Sequence, residues 1–250
     1  MEKYKQLAER ILESENTVFF GGAGVSTESG IPDFRSESGL YAAQAIYGHP
    51  PETLLSVDFF TQKPDLFFRY YRENLVAKEA RPNPAHIALA ELEARGRLQG
   101  IITQNVDGLH QAAGSRAVME LHGSNWRHYC INCGQAYTLE DALDPAHARA
   151  DGVPICRHCV SGIIRPDVVL YGEMLDDNVI SAAVSAISAA ELLIVGGTSL
   201  AVYPAAGFLQ YFRGENLVLI NKSETPYDHL ARLVIREPIG AVLQETMEYI

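Results

Sequence analysis

Short apolar runs, each closed by glycine or a polar turn, most restrict what this chain can fold into. They are Thr17-Val18-Phe19-Phe20 before Gly21-Gly22, Ile101-Ile102-Thr103 before Gln104, Val168-Val169-Leu170-Tyr171 before Gly172, Leu192-Leu193-Ile194-Val195 before Gly196-Gly197, and Leu217-Val218-Leu219-Ile220 before Asn221. Runs this short, β-rich and without polar alternation, predict strands buried on both faces. Elsewhere the apolar positions follow helical spacing. Tyr4, Leu7, Ala8, Ile11 and Leu12 share a face; Asn83 stands as N-cap before Pro84, with Ala85, Ala88, Leu89 and Leu92 leading to Gly96. Ile180, Ala183, Val184 and Ile187 mark another helix, and Val242, Leu243, Thr246, Met247 and Ile250 a last one. This alternation predicts an α/β fold, a parallel sheet covered on both faces, with ligands beyond the carboxyl ends of its strands. Four motifs fall there: Gly22-Ala23-Gly24, Gln104-Asn105-Val106-Asp107, Gly197-Thr198-Ser199 and Asn221-Lys222. One such turn is ordinary loop chemistry; four suggest a shared pocket.

Two stretches interrupt the alternation. Residues 36–81 are rich in aromatics and carry Pro50-Pro51 and Pro64, which predicts a helical insertion. Residues 127–164 hold all four cysteines and few long apolar runs, which predicts a small separate module. The expected division is a large domain from residues 1–35, 82–126 and 165–250, and a small domain from the two insertions. Cys130-Ile-Asn-Cys133 and Cys156-Arg-His-Cys159 are two CxxC knuckles separated by 22 residues. Two knuckles complete a tetrahedral site of four thiolates, for which zinc is the best match, and four protein ligands make such an ion structural. The competing readings are redox chemistry or unrelated core thiols. His128 and His158 are expected as neighbours of the ion rather than ligands. A formal charge of −11 opposes binding to nucleic acid or anionic membrane. The first twenty residues hold no apolar signal core, and no run approaches the ~18 apolar residues of a membrane span, so the expected setting is the cytoplasm.

Alone, Gly22-Ala23-Gly24 is a weak phosphate-binding signal, and Thr27 stands where the dinucleotide fingerprint wants a third glycine. The longer string Gly22-Ala23-Gly24-Val25-Ser26-Thr27-Glu28-Ser29-Gly30-Ile31-Pro32-Asp33-Phe34-Arg35 is far more specific and resembles the opening signature of the sirtuins, NAD-dependent protein lysine deacylases. Further motifs match in order: Thr103-Gln104-Asn105-Val106-Asp107, His122-Gly123, the two CxxC pairs, Arg165-Pro166-Asp167-Val168-Val169-Leu170-Tyr171-Gly172-Glu173, Gly197-Thr198-Ser199 and Asn221-Lys222. The resemblance runs from about Asn16 to the last helix, and in compactness the chain looks like a prokaryotic member.

The resemblance implies a Rossmann-like domain, a small zinc-ribbon and helical domain, and a cleft where NAD, a consumed co-substrate, meets an acetylated lysine of a protein or peptide. By that likeness Gly22, Ala23, Gly24, Ser26 and Thr27 line the phosphate and ribose path, and Asp33, Phe34 and Arg35 belong to a loop that closes over the nicotinamide end. Gln104, Asn105 and Asp107 line the nicotinamide and ribose pocket. Gly197, Thr198, Ser199, Asn221 and Lys222 hold the adenosine half, and Ile239 packs near adenine. Val169, Tyr171, Gly172 and Glu173 bind substrate as an added strand, with Tyr171 where the family usually has Phe. His122 is the implied general base. Each has a plainer reading: turn capping for Asn, Asp and Ser, a solvated charge for Lys222, a surface ion pair for Arg35. His110 and His86 are expected to be packing residues.

The chemistry implied is attack of the acyl oxygen on C1′ of the nicotinamide ribose, departure of nicotinamide, an alkylamidate, and base catalysis by His122 that yields free lysine and O-acetyl-ADP-ribose. Family members preferring acidic acyl groups carry Tyr-x-x-Arg in the insertion. Here Phe68 and Tyr71 align with that pair, which implies a neutral acyl preference, acetyl first, unless a one-residue shift recruits Arg69 or Arg72. Two alternatives remain open at this level: an ADP-ribosyltransferase or NAD hydrolase on the same scaffold, and a non-enzymatic zinc-ribbon module.

Overall fold

The computed structural model describes residues 1–32 and 44–250. Among them run strands β1 (Thr17–Gly21), β2 (Gly100–Thr103), β3 (Val118–Glu120), β4 (Gly123–Cys130), β5 (Ala136–Thr138), β6 (Ile164–Val168), β7 (Leu192–Gly196), β8 (Asn216–Ile220) and β9 (Leu233–Ile235). Six of them form one sheet in the order β3-β2-β1-β7-β8-β9, and every pairing in it is parallel. With β4–β6 set aside, this is the doubly wound order whose direction of winding reverses between its first and fourth strands, here β1 and β7.

Each central strand places successive side chains on opposite faces, and both faces are buried. Phe19, Ile101, Ile194 and Val218 pack with Leu7, Ile11, Leu89, Leu92, Val242 and Leu243 from the helices Glu2–Glu13, Pro84–Ala94 and Ile239–Met247. On the other face Val18, Phe20, Ile102, Leu193, Val195 and Leu219 meet Ala183 and Ile187 of the helix Asp177–Ala189 and Phe208 and Leu209 of the 3-10 segment Ala205–Tyr211. Double burial is why these strands carry no polar alternation. Asn83 caps its helix as expected: its side chain accepts from the Ala85 N–H, and His86 Nδ1 accepts from the Asn83 N–H. The sheet is edged by two short strands, β3 and β9, that the apolar-run criterion missed because three residues are too few to show a pattern.

One expected strand is misplaced. The run 168–171 is expected in the parallel sheet, but β6 ends at Val168 and pairs antiparallel with β4 in a second sheet, β5-β4-β6. Of its remaining residues Leu170 joins the aromatic core of the insertion with Phe59, Phe60, Phe67, Phe68, Tyr71 and Val153. Val153 comes from the cysteine-bearing stretch, so the two insertions share this core. Strand β4 crosses position 126/127 and β6 crosses 164/165, so these two of the expected domain boundaries fall inside continuous strands. No helix among the described residues is long and apolar enough to cross a membrane.

Candidate active site

Strands β1 and β7 lie side by side in register, Gly21 against Gly196, and the turns after them pack backbone to backbone. The Gly22 N–H donates to Gly196 O at 3.3 Å and the Gly24 N–H to Gly197 O at 2.8 Å. A Cβ on Gly24 would stand 2.7 Å from Gly197 Cα, and one on Gly22 would stand 2.8 Å from Thr198 Cβ. These glycines are thus needed for the approach of two loops, and their N–H groups serve that contact rather than facing a phosphate. Residues 23–25 and 27–29 form tight 3-10 turns, which carry Ala23, Ser26 and Thr27 at the mouth of the winding reversal. Asp33, Phe34 and Arg35 lie outside the described residues.

The loop after β2 meets the glycine loop through side chains. Ser26 Oγ donates to Asp107 Oδ2 at 2.7 Å and accepts from Asn105 Nδ2 at 3.0 Å. Gln104 Nε2 donates to Thr198 Oγ1 at 3.2 Å, joining this loop to the turn after β7. Asp107 Oδ1 accepts the Leu109 N–H at 2.9 Å. Burial pushes the Asp107 carboxyl above its ordinary range, against the pull of the Leu109 N–H and the Ser26 hydroxyl. The loops after β1, β2 and β7 therefore converge on one half-buried polar cluster at the winding reversal, where sheets of this order hold dinucleotides. The donors and acceptors of Ser26, Gln104, Asn105, Asp107 and Thr198 suit the hydroxyls and amide of NAD.

Further along the sheet edge, the Gly197 N–H donates to Ile220 O at 3.0 Å, which sets the β7 turn beside that of β8. Asn221 Nδ2 donates to Ser223 O at 2.8 Å, so that amide braces its own turn. Ser199 and Lys222 are exposed at the strand ends. Ile239 is buried and belongs to the sheet core; a Cβ on Gly196 would lie 2.2 Å from its Cδ1.

His122 stands just before β4. Its Nδ1 donates to Gln104 O at 2.8 Å, and because a carbonyl only accepts, the neutral ring keeps its lone pair on Nε2. Burial holds the His122 pKa below the ordinary imidazole value, partly offset by the Gln104 carbonyl. Gly123 follows in the left-handed region at φ 77°, where a Cβ would fall 2.0 Å from Asp167 O. This gives the His-Gly pair a backbone reason. His122 O accepts the Val169 N–H at 2.9 Å, which joins the imidazole to the segment expected to bind substrate.

That segment runs beside the insertion. The Tyr171 N–H donates to Leu55 O at 2.9 Å, and Tyr171 O accepts the Val57 N–H at 3.0 Å. Tyr171 is exposed and Gly172 takes φ 92°. Glu173 is engaged internally: Arg165 grips both its oxygens at 2.6 and 2.9 Å, and the Leu170 N–H donates to Oε2 at 2.8 Å. Arg165 itself lies between the rings of Phe60 and Tyr129. Its role is invisible in the sequence, where its only signal is its place at the head of a motif.

Three other histidines have structural partners. His86 and His110 are buried against each other, with ring centroids 4.8 Å apart. Burial depresses them to about 4 and about 3 respectively. His128 is buried and its Nε2 shares a hydrogen bond with the Tyr71 hydroxyl at 3.2 Å.

The four cysteine sulfurs all lie within 4.8 Å of one another. Cys130 and Cys159 Sγ are 3.6 Å apart and Cys133 and Cys156 Sγ 3.7 Å. Thiolates ~2.3 Å from a zinc ion at tetrahedral corners stand about 3.8 Å apart, so the cluster fits zinc. The N–H groups of Asn132 and Cys159 point at Cys130 and Cys156 Sγ, both at 3.4 Å, as knuckles that stabilise thiolate do.

Comparison with known proteins agrees with this geometry. The Sir2 family profile matches residues 22–204. The chain is 53% identical over 244 residues to an NAD-dependent protein deacetylase of Clostridium acetobutylicum, covering 98% of each chain, and 54% identical over 248 residues to that of Clostridium perfringens, covering 99% of each. Among solved structures it resembles a Sir2 with a deacetylated p53 peptide and 3'-O-acetyl ADP ribose (TM-score 0.89, 39% identity) and a Sir2 bound to an acetylated peptide (TM-score 0.87, 38% identity), each over 98% of both chains. A Sir2–p53 peptide–NAD+ complex aligns equally fully, with a TM-score of 0.87 and 38% identity. A family match over most of the chain, joined to relatives this close over their full length, means that the chain belongs to the Sir2 family.

Proposed function

We propose that this chain is an NAD-dependent protein deacetylase that removes acetyl groups from lysine side chains and yields nicotinamide, O-acetyl-ADP-ribose and free lysine. The observation that carries this reading is the placement of His122. Its ring is held by Gln104 of the polar loop, and its carbonyl holds Val169 of the substrate segment. One residue thus stands where a cofactor pocket and a peptide track meet.

NAD supplies an electrophilic ribose carbon once nicotinamide departs, and the ribose hydroxyls that receive the acyl group. Ser26 lies on its phosphate and ribose path, Gln104, Asn105 and Asp107 bind its nicotinamide and ribose end, and Thr198, Ser199, Asn221 and Lys222 hold its adenosine half. His122 takes a proton from a ribose hydroxyl at Nε2, the nitrogen left basic by the Gln104 bond. The N–H groups of Val169, Leu170 and Tyr171 and the Leu170 and Tyr171 carbonyls are engaged within the fold, so an extended peptide would pair with the remaining backbone groups of residues 169–172, with little sequence preference. The overall class is acyl transfer to ribose, and the place of work is the cytoplasm, where thiols stay reduced for the metal.

The residues at the aligned positions favour a neutral acyl group. Phe68 and Tyr71 are buried and uncharged, and the Tyr71 hydroxyl is engaged with His128. The two arginines that a shifted alignment would recruit are occupied: Arg69 pairs with Glu73, and Arg72 donates to Gly152 O. A buried carboxylate would lack a bidentate partner, a deficit of several kcal/mol, roughly. The test is turnover of matched acetyl- and succinyl-lysine peptides with and without NAD, with products read by mass spectrometry. Acetyl should be favoured by at least ~10-fold in kcat/KM, about the effect of 1.4 kcal/mol. ADP-ribosylated protein or free ADP-ribose without O-acetyl-ADP-ribose would replace this reading with NAD hydrolysis or ADP-ribosyl transfer.

A further inference from the structure

The strand that carries His122 into the small sheet closes onto the loop after β2 at three successive points. His122 Nδ1 donates to Gln104 O at 2.8 Å, the Asn125 N–H donates to Val106 O at 2.9 Å, and Trp126 Nε1 donates to Asp107 O at 2.7 Å. The first is made by the His122 imidazole and the second by backbone alone. The third depends on a side chain, and on the only tryptophan in the sequence.

Two further features fit the indole to this place. Gly108 takes φ 74°, and a Cβ there would lie 2.6 Å from Trp126 Cδ1 and Nε1, so the ring rests directly on the glycine backbone. Beside it, Asn125 is buried and its Nδ2 donates to Leu75 O at 2.8 Å, just past the helix Pro64–Asn74 that carries Phe68 and Tyr71. Trp126 is 44% exposed, so burial of its ring accounts for only part of its placement. A donor aimed at a loop carbonyl also accounts for it.

We propose that Trp126 is a positioning residue: its indole latches the backbone of Asp107, and with Asn125 it ties the NAD loop to the helical insertion. The proposal rests on the reading of residues 104–107 as the nicotinamide-side loop. Its logic is connectivity. Trp126 fixes the Asp107 carbonyl, the Asp107 carboxylate fixes Ser26, and Ser26 fixes Asn105. Loosening the first link frees the orientation of the last two side chains, which face NAD, without touching the peptide track.

Trp126→Phe keeps a ring over Gly108 and removes only the donor. KM for NAD should rise roughly three- to ten-fold, the effect of one net hydrogen bond. KM for acetyl-peptide should stay unchanged. An unchanged KM for NAD in the folded variant, or an equal rise in both KM values, overturns the latch. A second measurement needs no variant. The emission of the single tryptophan in the wild-type chain should change on titration with NAD, with the midpoint that calorimetry gives for binding. Silent emission where calorimetry records binding also overturns the latch. No heat of binding at all would instead count against the NAD reading beneath it.

Discussion

At the scale of single residues, the chemistry depends on which of several histidines is left with a usable lone pair. His86 Nδ1 accepts from a backbone N–H, and His110 is sealed behind it. His128 is tied to Tyr71. Among the described residues, His122 is the histidine that donates through Nδ1 to a carbonyl at the end of the parallel sheet, which leaves Nε2 basic. Burial depresses its pKa, so the neutral, proton-accepting form survives to lower pH than an ordinary imidazole would allow. The acidic limb of the kcat/KM profile should therefore lie below pH ~6.5, the ordinary imidazole value. A limb at or above that pH, measured with saturating NAD, would contradict the assignment. In the sequence His122 was distinguishable only through the His-Gly motif, because tautomer and burial belong to the folded environment.

At the scale of elements, the segment after β6 shows how a residue of a motif can be engaged within the fold. Glu173 was expected to touch substrate. Its carboxylate is instead gripped by Arg165 and by the Leu170 N–H, and Arg165 Nη2 also donates to Val168 O at 2.8 Å. Partial burial raises the Glu173 carboxyl, but the Arg165 guanidinium and the Leu170 N–H outweigh this and leave it below its ordinary range. The pair is a staple that fixes the turn of the chain after β6, at residues 169–172. Glu173→Gln should cost about 2 kcal/mol of stability, the scale of a weakened charge-assisted pair, and raise KM for peptide more than KM for NAD. Denaturant titration and a two-substrate kinetic matrix would check both parts. The run 168–171 misled for a related reason: Leu170 enters the aromatic core of the insertion while Val169 packs against the sheet core, and composition does not say which core an apolar residue will enter.

At the scale of the whole molecule, the chain is one doubly wound sheet with two insertions that share a core, the second of which holds the cysteine cluster. The apolar residues around that cluster are few: Ala142 and Ile164, with Tyr137 packed against them. Metal binding is therefore expected to supply much of the local stability, on the order of 10 kcal/mol for a structural zinc site. Chelation should release one zinc per chain, unfold residues 127–164 and abolish deacetylation, with recovery on returning zinc. Zinc quantitation alongside circular dichroism and activity would follow it, and full activity of zinc-free protein would refute it. By itself the sequence determined most of the alternation of strand and helix, the cap at Asn83 and the two cysteine knuckles. These are matters of local spacing, periodicity and turn chemistry. Only the tertiary structure decided that Gly22 and Gly24 hold the β1 and β7 turns together, that Glu173 belongs to Arg165, and that Trp126 reaches Asp107. Each depends on contacts between segments that local spacing does not relate, and such partners are chosen by packing.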